Sequence, residues 1–323
     1  MKEIKALHLQ FGRNMWSDVP VKSWPKYNTP ETLSYVCAAD HVRCDEGVWR
    51  RVTDRAAACG LNMLVIDLAE ALAYPSHPEL AVKGSWSPDK MRSELRRLRA
   101  MGLEVIPKLN FSAGHDVWLK EYARMLSTKE YYKVCSDLIR DVVEIFDSPR
   151  LFHIGYDEET AEQQEKYGYL CIRQGELWWH DFLWFVSQVE KCGCRPWIWS
   201  DACWHFPKEF CRRMPKSVVQ SNWFYGRTFV PGGKPRLRCE ISPIDAYLEL
   251  EKAGFDQIPC GSNHHCEDNI ARTWAFARKH IDPTRLKGLL LSPWRVTMPM
   301  FEQHLIRSCE LMGTVDADSR QYS

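Results

Sequence analysis

Eight short stretches of the chain are almost continuously apolar, at residues 4–11, 63–68, 104–109, 151–155, 195–199, 217–221, 257–261 and 288–291. Runs of that length without polar alternation suit strands buried on both faces, as in a parallel sheet covered by helices. Longer amphipathic stretches separate them. Residues 45–58 place Val48, Val52 and Ala56 on one helical face. Residues 87–101 open with Ser87-Pro88, a capping hydroxyl followed by a proline suited to the first turn. Further helical patterns cover 128–146, 175–191, 244–253, 269–280 and 299–311, with a short one at 208–213 in the sixth gap. Gly60, Gly102, Gly193 and Gly254 each stand just ahead of a strand, where a helix end calls for left-handed backbone. Eight strand–helix alternations in 323 residues predict an α/β protein, a (β/α)8 TIM barrel as a single domain over 1–323. A doubly wound open sheet is the alternative, weakened because no GxGxxG or GxxxxGK[ST] loop follows a strand. The Pro/Gly cluster at 230–235 falls after the sixth strand and reads as a loop, not a domain boundary.

Charge narrows the function classes. With 43 basic and 42 acidic residues, the net charge is +1, which argues against nucleic acid or an anionic membrane as partner. The basic run 96–99 lies in a helical pattern and reads as a solvated face. No apolar run reaches the roughly 18–20 residues of a membrane span, and residues 1–6 do not read as a secretory signal. The 13 cysteines include no CxxC pair, so neither a zinc ribbon nor a disulfide framework is expected. Free thiols in a reducing cytoplasm are the simpler expectation.

In a barrel, the residues just past each strand line one mouth. Here they are Gln10 and Arg13; Asp67 and Glu70; Asn110, His115 and Asp116; His153, Tyr156, Asp157, Glu158 and Glu159; Trp199, Asp201 and His205; Asn222, Trp223 and Tyr225; Asn263, His264 and His265; Trp294 and Arg295. Carboxylate, imidazole and indole groups gathered at one mouth suit a sugar, whose ring faces stack on Trp and whose hydroxyls need polar partners. Glycosidic hydrolysis needs a proton for the leaving oxygen and a stabiliser for the cationic C1 centre. The carboxylates Asp157 and Glu158 are adjacent in sequence, and on an extended strand they would point to opposite faces. They are therefore not expected to flank C1. Substrate assistance removes the difficulty: a 2-acetamido oxygen attacks C1, Asp157 orients it and Glu158 protonates the leaving group.

The stretch 151–159, L-F-H-I-G-Y-D-E-E, resembles the H-x-G-G-D-E motif of family 20 glycoside hydrolases, the β-N-acetylhexosaminidases. Other strands resemble the family in order: L-Q-F-G-R at 9–13, the second strand with Glu70, V-I-P at 105–107 with Gly114-His115, W-S-D at 199–201, Q-S-N-W at 220–223, and Gly288 through Trp294. The resemblance implies Glu158 as general acid and Asp157 as the carboxylate that orients the acetamide. It implies Arg13 as a ligand of sugar hydroxyls, and a Glu70–His115 charge pair supporting the acid. It implies a pocket wall of Trp199, Trp223 and Trp294. His153, Asp201 and Tyr225, at the same mouth, complete the expected substrate-binding set. A carbohydrate substrate is implied, with no cofactor and no metal, and no accessory domain is expected ahead of the barrel.

The chain departs from that pattern at four places. Tyr156 replaces the motif's second Gly and is expected to crowd the site, and Gln10 replaces an Asp. The seventh strand lacks Y-x-D, and Val296 stands where W-x-E has its Glu. Two other readings stay open. A metal-dependent barrel hydrolase could draw ligands from Asp67, His115, His153, Asp201, His264 and His265, although the first strand has no His-x-His and no HExxH occurs. A carbohydrate-binding relative without turnover would follow from the lost Y-x-D.

Overall fold

Each apolar run carries a strand in the computed structural model, which describes residues 3–19, 37–165 and 171–322. The strands are β1 (Ile4–Gln10), β2 (Met63–Asp67), β3 (Glu104–Lys108), β4 (Leu151–His153), β5 (Arg195–Trp199), β6 (Val219–Ser221), β7 (Cys260–Gly261) and β8 (Gly288–Leu291). All pairings are parallel, in the order β6-β5-β4-β3-β2-β1-β8-β7. Single bridges Gln220↔Gln257 and Trp223↔Cys260 join the two ends and close the barrel. The strand β7 is shorter than expected because Pro259 has no N–H to give. The Pro259 carbonyl still accepts from Leu290 N (3.0 Å), and Ile258 N and Cys260 N donate to Gln220 O and Asn222 O, both 2.9 Å.

The outer ring is α1 (Glu46–Ala58), α2 (Pro88–Ala100), α3 (Lys129–Ile145), α4 (Gly175–Lys191), α5 (Pro207–Arg213), α6 (Pro243–Lys252), α7 (Asn269–His280) and α8 (Glu302–Asp318). Their starts follow from sequence: side chains of Asp45, Ser87, Thr128 and Ser242 each accept from a backbone N–H of the first turn. The four predicted stop glycines have φ between +77° and +82°, and a Cβ there would meet nothing within 4 Å. Glycine at these stops therefore answers a backbone demand rather than a packing one. Two further short helices, Ala161–Glu165 and Ala202–His205, sit in the loops after β4 and β5. Among the described residues, no helix is long and apolar enough to cross a membrane.

Inside the barrel lies a buried polar layer. Lys108 forms an ion pair with Asp67, which also lies 3.3 Å from His8 Nε2, and His8 Nδ1 meets Ser292 Oγ at 2.6 Å. Burial alone would raise the Asp67 carboxyl pKa, but Lys108 and the His8 contact outweigh it and hold it below the usual range. Asp67 therefore belongs to the structural floor, because a buried carboxylate needs its partner cation close by.

Candidate active site

The chain after β4 is built from unusual backbone. Gly155, Tyr156 and Glu158 all have positive φ, at +72°, +74° and +53°. Glycine is required at 155, where a Cβ would fall 2.0 Å from Asn110 Oδ1. Strain of this kind persists only where neighbours over-determine the conformation. Here they do. Asn110 Oδ1 accepts from Tyr156 N (3.3 Å) and Ser112 N (3.0 Å), the Ser112 hydroxyl donates to Asp157 O, and Asp201 Oδ2 accepts from Glu158 N (2.8 Å). Flanking strands add Phe111 N to Ile154 O and Trp199 N to Gly155 O, each 3.0 Å.

The left-handed residue at 158 overturns the expectation that the two carboxylates diverge. Both converge on one imidazole: His115 Nε2 lies 3.4 Å from Glu158 Oε2 and 3.9 Å from Asp157 Oδ2. The other Asp157 oxygen, Oδ1, accepts from Asn110 Nδ2 at 2.9 Å. Glu158 is 32% exposed while His115 is 2% exposed, so the acid faces the mouth and the imidazole backs it. Burial pulls the His115 pKa down, but the charges of Asp157 and Glu158 prevail and raise it. Trp16 packs against the same ring at 4.1 Å between centroids.

Aromatic groups continue from the acid pair around the mouth. Trp199 and Trp294 lie 5.8 Å apart, and Trp294 leads to Tyr225 at 6.3 Å. Tyr225 stacks on Trp223 at 5.2 Å and 20°, and Trp223 meets Trp204 at 4.5 Å. The buried Nε1 of Trp199 has no hydrogen-bond partner. Burial raises the Tyr225 pKa well above its usual value, as does the neighbouring Cys260, whose Sγ lies 4.0 Å from the phenol oxygen.

Three expectations need correction. Glu70 does not pair with His115: both its oxygens accept from Arg13 N (2.8 and 3.0 Å), and one also from Asn14 N (2.9 Å). It fixes the loop that carries Arg13 instead. His153 is fully buried beneath Trp199, 4.6 Å away, and its Nδ1 accepts from Gly155 N at 3.0 Å. It thus shapes the turn and has no open face for a sugar. Tyr156 does not crowd the pocket, because its left-handed backbone turns the ring outward against Trp178, Phe182 and Phe185 of α4.

Arg13, 4% exposed, and Asp201, also 4% exposed, both lie at the mouth. Burial and the Asp157 charge push the Asp201 carboxyl up to about 7. Asn110 was placed at the mouth by sequence but without this holding role, and Ser112 and Arg173 were not singled out at all. Asn110 and Ser112 stand next to the V-I-P motif, which was the one available signal. The six ligands of the metal-hydrolase alternative do not converge. Asp67 is taken by Lys108 and His8, and His264 Nδ1 by Arg295 Nη1 at 2.6 Å. Among the described residues the only cluster with metal-ligand spacing is His115, Asp157 and Glu158.

No known family profile matches the chain. It is 24% identical over 272 residues to Hexosaminidase D of Bos taurus, which covers 74% of this chain and 77% of that protein. The chitobiase of Flavobacterium johnsoniae superposes with a TM-score of 0.61 at 15% identity, over 86% of this chain and 48% of that one. The family 20 β-N-acetylhexosaminidase of Streptomyces coelicolor A3(2) gives 0.61 at 14% identity, over 98% and 69%. The chain thus spans about half the length of the first of these structures, and at such identities the likeness is one of fold. The chain itself is a (β/α)8 barrel with paired carboxylates after its fourth strand. Its fold is shared with solved family 20 β-N-acetylhexosaminidases, and its sequence is similar to Hexosaminidase D.

Proposed function

We propose that the chain is a retaining β-N-acetylhexosaminidase that hydrolyses a terminal 2-acetamido sugar by substrate assistance. The observation that carries this is the convergence of Asp157 and Glu158 on His115 beside the Trp199–Trp294–Tyr225 wall. Two carboxylates on one side of the sugar cannot serve as nucleophile and acid from opposite faces. They can serve an internal nucleophile. Glu158 gives its proton to the leaving oxygen as the C1–O bond breaks. The acetamide oxygen closes on C1, while Asp157 accepts the amide N–H and balances the charge of the oxazolinium ring. Glu158, now a carboxylate, takes a proton from the water that reopens the ring, which restores both groups. Asn110 holds Asp157, and Asp201 holds the Glu158 backbone. Thirteen cysteines without a CxxC pair support a reducing, cytoplasmic setting.

The test is a panel of aryl glycosides with and without a 2-acetamido group. Turnover confined to 2-acetamido substrates and inhibition by a thiazoline mimic of the oxazoline are expected. Equal turnover of 2-hydroxy sugars would remove substrate assistance.

Tyr225 takes the place of a seventh-strand tyrosine as donor to the acetamide oxygen, supported by its position in the aromatic wall between Trp223 and Trp294. Tyr225→Phe is expected to lower kcat on 2-acetamido substrates by about 10–100-fold, the value of a hydrogen bond to a charged group. KM should change little. A loss confined to KM would assign Tyr225 to simple binding.

A further inference from the structure

His115, Asp157 and Glu158 also have the make-up of a cation site. One ligand atom from each lies within 4.8 Å of the others. Ligands bound at zinc distances in a tetrahedral array are about 3.3–3.6 Å apart. The imidazole Nε2 is 3.4 Å from Glu158 Oε2 and 3.9 Å from Asp157 Oδ2, so the two edges at the imidazole are within a few tenths of an ångström of that spacing.

Two further observations point to a ligand. The His115 ring is 2% exposed, yet neither nitrogen makes a hydrogen bond of good geometry. Asp157 is already oriented, because Asn110 holds Oδ1 and leaves Oδ2 turned to the imidazole. Glu158 at 32% exposure gives an ion a path in and a water a fourth position. One nitrogen with two carboxylate oxygens suits zinc, whereas magnesium prefers an all-oxygen octahedron.

We propose that His115, Asp157 and Glu158 bind a divalent transition metal, zinc above all, and that the bound ion switches hydrolysis off. The ion would occupy the Glu158 oxygen that must carry a proton and the Asp157 oxygen that must face the acetamide. Metal and substrate therefore exclude one another. The inhibition rests on the hydrolase function proposed above; the binding does not.

The experiment uses the full chain, stripped with chelator and titrated with zinc by calorimetry and with cobalt by absorption. One equivalent is expected, displaced by a thiazoline inhibitor and weakened more than about 10-fold by His115→Asn and by Glu158→Gln. Glu158→Gln is nearly isosteric at a partly exposed position, so it keeps the test valid if His115→Asn fails to fold. Cobalt separates this site from the thirteen thiols, since thiolate ligation adds an intense near-ultraviolet charge-transfer band and an N/O site does not. Binding that shows the thiolate band and ignores Glu158→Gln would overturn the proposal, as would the absence of saturable binding. Zinc bound at this site by a chain inert on every glycoside would leave the metal site standing and remove the hydrolase function. Hydrolysis without zinc binding would do the reverse.

Discussion

Glu158→Gln is expected to reduce turnover of a 2-acetamido aryl glycoside with a poor leaving group by about 10²–10⁴-fold, the usual contribution of general acid catalysis. The amide keeps the size of the side chain and leaves the Glu158 N–H to Asp201 bond in place, so the folded state should persist. What disappears is the proton. The loss should therefore shrink as the leaving group becomes more acidic, since a dinitrophenolate departs without protonation. A full set of leaving groups measured on both proteins gives the slope that separates an acid from a binding residue. An equal loss across the series, or no loss, would remove Glu158 from that role.

The fold was legible because buried parallel strands leave a signal that needs no partner information. An apolar run fed by a glycine stop reads the same in sequence as in the barrel, and Gly60, Gly102, Gly193 and Gly254 all take the left-handed backbone expected of them. Legibility faded where one residue's chemistry interrupts the pattern. Pro259 cuts β7 to two residues. Pro299 opens only a 3₁₀ turn, Pro299–Phe301, so α8 starts later and runs on to Asp318. The site was legible as a set of strand ends and illegible as a geometry. Alternation along a strand would separate Asp157 from Glu158, whereas the left-handed turn after β4, with positive φ at 155, 156 and 158, brings both to His115. Glu70 and His153 fall at the right strand ends, but their hydrogen bonds go to backbone N–H groups of Arg13, Asn14 and Gly155. No spacing rule announces such a use of a side chain.

Arg173 is the clearest case of a group hidden from sequence, and it sets the second large effect. It lies in a loop before α4 with no motif around it. Its guanidinium and the Glu159 carboxylate are 1% and 2% exposed, 2.7 Å apart at Nη2–Oε2, with Nε–Oε1 at 2.8 Å. Asp181, fully buried, lies 3.4 Å from Nη1, and Nη2 also donates to Phe111 O at 2.7 Å. The outward Tyr156 ring packs on the guanidinium at 4.7 Å. Glu159 accepts from Ala113 N at 3.0 Å, so the pair ties the loop bearing His115 to the turn bearing Asp157 and Glu158. Arg173→Met removes the cation and leaves two carboxylates buried, which is expected to cost about 3–5 kcal/mol in urea unfolding. Activity should fall with it, because His115 and Glu158 lose their common tether. The double variant Arg173→Met, Glu159→Leu takes both charges away and should recover part of the stability, since an apolar replacement of a buried pair is often neutral. It should not recover the activity, because an aliphatic side chain in place of Glu159 cannot accept from Ala113 N. Recovery of both would mean that the ion pair acts on stability alone and that the two loops are held by other contacts.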